Sequence, residues 1–121
     1  MKISLKTILK SFNYAFIGIK ISSEQHNFRV MLLGAILVVI LAIVLKVTIV
    51  EWLILILIIS LILSLETINT SLEKLCDYIE PNPSDKIKII KDLASGAEAI
   101  LCFTSIIIGF IIFLPKIIHL F

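Results

Sequence analysis

From Val30 to Leu45 the chain carries sixteen apolar or small residues without a break. The run reads as a membrane-spanning helix, extended at its ends by Phe28 and by the aliphatic stem of Lys46 to about 28–47. After a short turn at Lys46–Glu51, Trp52–Leu65 is again apolar, interrupted only by Ser60 and Ser64. So short a return makes the second helix antiparallel to the first, and it sets the Trp52 ring at interface depth. The second helix is expected over about 51–79, with Pro81 and Pro83 ending it. Asn82–Lys91 reads as a short charged loop, or a loop with a turn. Leu93–Leu114 reads as a third span, about 92–114 with its flanks and closed by Pro115. Ahead of these, residues 2–20 follow a different pattern. Leu5, Ile8, Leu9, Phe12, Phe16 and Ile19 fall on one helical face, and Lys2, Lys6, Lys10, Asn13 and Lys20 on the other. A basic face opposite Leu and Phe suits a helix lying in the membrane interface; a helix packed on a soluble partner is the plainer alternative. Ser22–Asn27 then forms a polar elbow.

One stretch breaks the apolar logic. Within Leu65–Asp77, the residues Glu66, Asn69, Glu73 and Asp77 stand at i, i+3, i+7 and i+11, a single stripe on a helix. Trp52–Leu65 at 1.5 Å per residue covers about 21 Å, less than the ~30 Å of bilayer hydrocarbon. Glu66 therefore falls inside the membrane near one edge, with Glu73 and Asp77 emerging beyond it. A helix end with solvated charges is the plain reading. It gives no reason for four polar groups on one face, and an acid at membrane depth is a functional candidate in its own right.

Composition agrees with the patterning. At 121 residues the chain is expected to be one membrane domain, 1–121, and 60% hydrophobic content with mean hydropathy +1.14 excludes an ordinary soluble globule. Met1–Lys20 is amphipathic rather than continuously apolar, so no cleavable signal is expected. Cys76 and Cys102 lie in apolar helical contexts without metal spacing and read as reduced, small hydrophobic residues. Charge placement sets the orientation. With a cytoplasmic amino terminus, Lys2, Lys6, Lys10, Lys20, Arg29, Lys74, Lys86, Lys88 and Lys91 are inside, and only Lys46 and Lys116 outside.

That orientation gathers three polar groups at one edge: the elbow (Glu24, Gln25, His26, Asn27), the stripe with Thr70, and the segment Lys91-Asp92-Leu93-Ala94-Ser95-Gly96. Carboxylates beside a lysine at a water–lipid boundary suit metal-assisted phosphoryl transfer. Mg²⁺ takes one or two carboxylates plus phosphates and waters, lysine meets phosphate charge, and a desolvated glutamate can take a proton from an alcohol. No Gly-rich phosphate loop and no strand to carry one is present in the pattern. A proton-coupled transporter built on Glu66 or Glu98 is the competing class. Such a carrier needs its acid near midplane with access from both sides, whereas these groups collect at one edge. A structural subunit without chemistry leaves the stripe unexplained. His26 at the elbow reads as solvated, and His119 in the tail as remote from any chemistry.

Glu66-Thr-Ile-Asn69-Thr-Ser-Leu-Glu73 followed by Lys91-Asp92-Leu-Ala-Ser95-Gly resembles the small prokaryotic integral-membrane lipid kinases, the diacylglycerol and undecaprenol kinases. The resemblance extends to Phe12-Asn-Tyr14-Ala-Phe-Ile-Gly18 and to Gly109–Pro115, which leans toward the undecaprenol branch. It implies an all-α membrane protein with three transmembrane helices and an amphipathic surface helix, assembled as a homotrimer in the bacterial inner membrane. It implies transfer of the ATP γ-phosphate to a lipid alcohol with Mg²⁺, and no nucleic-acid partner. By position, Glu66 matches the catalytic base and Glu73 a metal-binding glutamate. Asn69, Lys91 and Asp92 match residues around the nucleotide phosphates, Tyr14 a nucleotide-contacting tyrosine, and Ser95 the lipid site. Two places depart from the family pattern. The second metal-binding glutamate belongs on the elbow, where alignment on Asn27-Phe28-Arg29 puts Gln25, with Glu24 one residue early. Glu98 stands where an apolar residue is expected. It shares a helical face with Lys91 and Ser95, which allows either a reach into the polar cluster or a hydrogen bond between subunits.

Overall fold

A computed structural model describes residues 3–121, and within them the chain is all helix: α1 (Leu5–Ser23), α2 (His26–Val44), α3 (Ile49–Ile79) and α4 (Asp85–Leu120). Lys2, expected on the polar face of the surface helix, lies outside the described residues. α2, α3 and α4 are each long and apolar enough to cross a membrane, and the chain is a membrane protein with three such helices and one amphipathic helix before them.

α1 begins where the Ser4 hydroxyl accepts the Thr7 N–H at 3.2 Å. Its apolar residues Leu5, Leu9, Phe12 and Phe16 are exposed, so the chain itself does not cover this face and lipid is its natural cover. The helix runs past the expected end at 20 to Ser23, and the elbow contracts to Glu24 and Gln25, with His26 and Asn27 already in α2. α2 is apolar on all sides, and of its residues only Phe28 and Ala42 are buried within the chain.

The α2–α3 turn is a Schellman closure. Lys46 takes the left-handed conformation (φ 53°), its N–H bonds to the Ile43 carbonyl at 3.3 Å, and the Val47 N–H bonds to Ala42 at 3.2 Å. Val47 and Ala42 then join Leu55, Ile112 and Phe113 in the buried core, flanked by Trp52, Ile108 and Ile117. Thr48 and Glu51 form a capping box that starts α3. The Glu51 carboxylate also holds Lys116 of α4 at 2.8 Å, which ties the start of α3 to the end of α4.

Two expectations for α4 need correction. Helix begins at Asp85 rather than after Lys91: Pro83 and the extended Ser84 lead into it, and Asp85 complements the positive end of the helix dipole. Pro115 does not close it. The helix continues to Leu120, because Lys116 is tied to Glu51 and Ile117 packs against the core on the far side of the proline. Within a bilayer such a proline is tolerated where neighbours hold the chain.

At 1.5 Å per residue, α3 and α4 measure about 46 and 54 Å, well beyond the ~30 Å of hydrocarbon. The surplus falls at one end, where α3 finishes in Glu73–Ile79 and α4 starts in Asp85–Asp92. These two helices pair most extensively, followed by α2 with α3. The dry core thus lies at the Lys46/Lys116 end, and the polar stretch at the other.

Candidate active site at the polar end of the bundle

Beyond the core the interior changes character. Its buried polar residues are Ser22, Glu66, Asn69 and Thr70, and Glu66 is only 2% exposed. The stripe that the spacing defines is thus split by depth. Glu66 and Asn69 face inward, and Glu73 and Asp77 are exposed.

The Asn69 amide donates to Glu73 at 3.1 Å, linking the buried and the exposed halves of the stripe. That bond turns Asn69 Oδ1 inward, where it has no partner. Glu66 Oε2 and Glu98 Oε1 are likewise buried without a hydrogen-bond partner. Among the described residues, these are the three buried side-chain polar atoms left unsatisfied, and all three are acceptors in one region of the molecule. Buried polar groups are paired as a rule, so acceptors without donors mark a place prepared for a proton, a hydroxyl or a cation.

α1 and the elbow are fastened to this region. Ser22 donates to Thr67 of α3 at 3.0 Å, and Thr67 donates in turn to the Leu63 carbonyl. Arg29 reaches back to the Ser23 carbonyl at 2.7 Å, which fixes the angle between α1 and α2. Neither tie was anticipated from the sequence. Thr67 neighbours Glu66 but faces off the stripe, and a lone serine near a helix end carries no signal of its partner.

Lys91 Nζ bonds Asp77 at 2.7 Å across α3 and α4, and this contact holds the lysine above its ordinary value. Asp92 pairs with Lys88 on its own helix at 2.6 Å. Asp77, Lys88, Lys91 and Asp92 line an open hollow of about 620 Å³ beneath the α3–α4 turn. Glu24 is exposed at the α1 C-cap, Gln25 half-buried, and Tyr14 exposed on α1. Ser95 is exposed on α4. The structure therefore brings Glu66, Asn69, Glu73 and Glu98 together and joins Lys91 to the stripe through Asp77. Tyr14 and Asp92 have no bond to that group.

Among the described residues, no cluster of three or more His, Cys, Asp or Glu side chains is arranged to enclose a metal ion. The donors fit Mg²⁺ in another way. Glu73 offers an exposed hard-oxygen carboxylate held by Asn69, and Mg²⁺ bound with phosphates takes only one or two carboxylates and keeps its waters.

The family model for prokaryotic diacylglycerol kinase matches residues 13–113, a stretch that includes Tyr14, the elbow, the stripe and Lys91–Ser95. The undecaprenol kinase of Bacillus subtilis (strain 168) is 36% identical over 113 residues, covering 93% of this chain and 92% of the relative. A membrane-spanning helical chain with this match belongs to the prokaryotic diacylglycerol kinase family of membrane lipid kinases.

Proposed function

We propose that the chain transfers the γ-phosphate of ATP to the primary hydroxyl of a polyprenol of the undecaprenol class, at the cytoplasmic face of the bacterial inner membrane. The buried carboxylate of Glu66, with one oxygen unpartnered, is the observation that carries this reading. A lipid hydroxyl entering from the bilayer meets an acceptor with no competing donor. Glu66 takes its proton as the alkoxide attacks phosphorus, and ADP leaves on the water side. Catalysis by a positioned general base is worth about 10²–10⁴-fold. Glu73, together with Glu24 from the elbow, would hold Mg²⁺, which would offset phosphate charge when bound. Asn69 keeps Glu73 in place, Lys91 and Asp92 line the nucleotide side, Tyr14 contacts the nucleotide, and Ser95 lines the path of the lipid. The choice of polyprenol over diacylglycerol is supported by the similarity to an undecaprenol kinase.

The site is completed by assembly. Exposed Ile56, Leu57, Ile100, Phe103 and Ile107 leave broad apolar faces on α3 and α4, and a homotrimer would set the elbow of one chain beside α3 of the next. Unfolding, mixing and reassembling inactive Glu24→Gln and Glu66→Gln chains should then restore part of the activity, and no recovery would place each site within one chain.

The function itself is tested by offering undecaprenol and diacylglycerol at matched mole fraction in micelles with γ-labelled ATP. Label should enter the polyprenol preferentially. Preference for diacylglycerol would reverse the acceptor assignment, and label in neither lipid would remove the kinase reading.

A further inference from the structure

Glu98 departs from the apolar pattern of α4, and the function described above gives it no role. Its carboxyl meets that of Glu66 across the α3–α4 contact, and Glu73 also lies within electrostatic reach on α3. On its other side Glu98 borders a small void closed by Met31 of α2 together with Ile62, Leu65, Leu101 and Cys102. That void has no room for a water molecule and, apart from Glu98 itself, no carboxyl or amine in its wall. Oε1 of Glu98 is buried and unpartnered, as is Oε2 of Glu66. Two carboxylates have acceptor sites only; their contact becomes a hydrogen bond when one proton sits between them.

We propose that Glu98 is a positioning residue for Glu66: its carboxyl carries that proton and donates it to one oxygen of Glu66, leaving the other oxygen to receive the lipid hydroxyl. The proposal rests on Glu66 acting as the base. An unsupported carboxylate at the end of a long side chain samples several rotamers. A charge-assisted O–H···O bond fixes one of them and supplies the donor that the buried pair otherwise lacks. The proton stays within the carboxyl pair throughout the transfer, and the lipid proton is a separate one.

The test compares wild type with Glu98→Gln, Glu98→Leu and Glu66→Gln in purified, assembled enzyme. The infrared C=O stretch of a protonated carboxyl should be present in wild type and absent in Glu98→Gln. Glutamine retains an N–H donor, so Glu98→Gln should keep most of kcat. Leucine offers no donor, so Glu98→Leu should lose about ten- to a hundredfold in kcat, with MgATP KM and assembly unchanged. A persistent protonated-carboxyl band in Glu98→Gln would overturn the proposal. So would wild-type turnover in Glu98→Leu, or a loss there that merely follows loss of the oligomer. If Glu98→Leu does not fold, the band in Glu98→Gln still decides the assignment. A fully active Glu66→Gln would remove the base and the positioning role together. An inactive Glu66→Gln beside an unimpaired Glu98→Leu would remove the positioning role alone.

Discussion

The two ends of the helical bundle are built on opposite terms. At the Lys46/Lys116 end, Ala42, Val47, Leu55, Ile112 and Phe113 make a dry core, and the charges between its helices are paired: Glu51 caps α3 and holds Lys116. At the other end, Glu66, Asn69 and Glu98 present buried acceptors that the chain leaves unpaired. A region whose hydrogen bonds are complete gains only stability from them. A region that tolerates missing donors holds back part of its stability for something that arrives later. The difference separates the scaffold from the chemistry, and each end should respond to mutation in its own currency, folding at one and turnover at the other.

Glu66→Gln offers the largest contrast. It is expected to lower kcat by about 10²–10⁴-fold. Thermal stability should hold or rise, since the amide supplies a donor where an acceptor was orphaned. A parallel loss of stability and rate would mean that the two ends are not distinct. Phe113→Ala reverses the signature. It removes most of a buried aromatic ring and should cost about 3–5 kcal/mol of stability, read from reversible unfolding in detergent. Turnover per folded enzyme should remain near wild type.

Glu73→Gln sharpens the polar side further. Replacing one charged ligand should raise the Mg²⁺ needed for half-maximal rate, and the MgATP KM, by about tenfold, roughly 1.4 kcal/mol. An unmoved Mg²⁺ titration would remove Glu73 from the metal site. The smallest effect is expected at the α2–α3 turn. Lys46 is a non-glycine residue at a left-handed position, so Lys46→Gly should stabilise by up to about 1 kcal/mol without altering kcat. Destabilisation would show that the lysine side chain contributes more than its backbone strain removes.

Much of this division was legible in the residues. Long apolar runs fix helices of spanning length, and the Glu66–Asp77 stripe follows from helical spacing alone. What escaped was set by contacts between helices. Pro115 reads as a terminator in isolation, yet Lys116 and Ile117 are held by α3 and the core, and the helix continues. Asp85–Lys91 reads as charged loop because its polar residues hide a helical start at the Pro83–Ser84 boundary. Lys91 pairs with Asp77 while Lys88 takes Asp92, a choice made by the rotation of α4 against α3 and invisible to either segment alone. The bond from Ser22 to Thr67 likewise depends on where α1 meets α3.

The central claim, that the buried carboxylate of Glu66 activates the lipid hydroxyl, separates most directly from nucleotide binding in a single turnover. Purified Glu66→Gln would be loaded with γ-labelled MgATP, its nucleotide affinity measured, and label followed into polyprenol. Unchanged affinity with label transfer slowed by about a hundredfold or more is the expected result. Transfer at the wild-type rate, or a loss explained wholly by failure to bind MgATP, would contradict it.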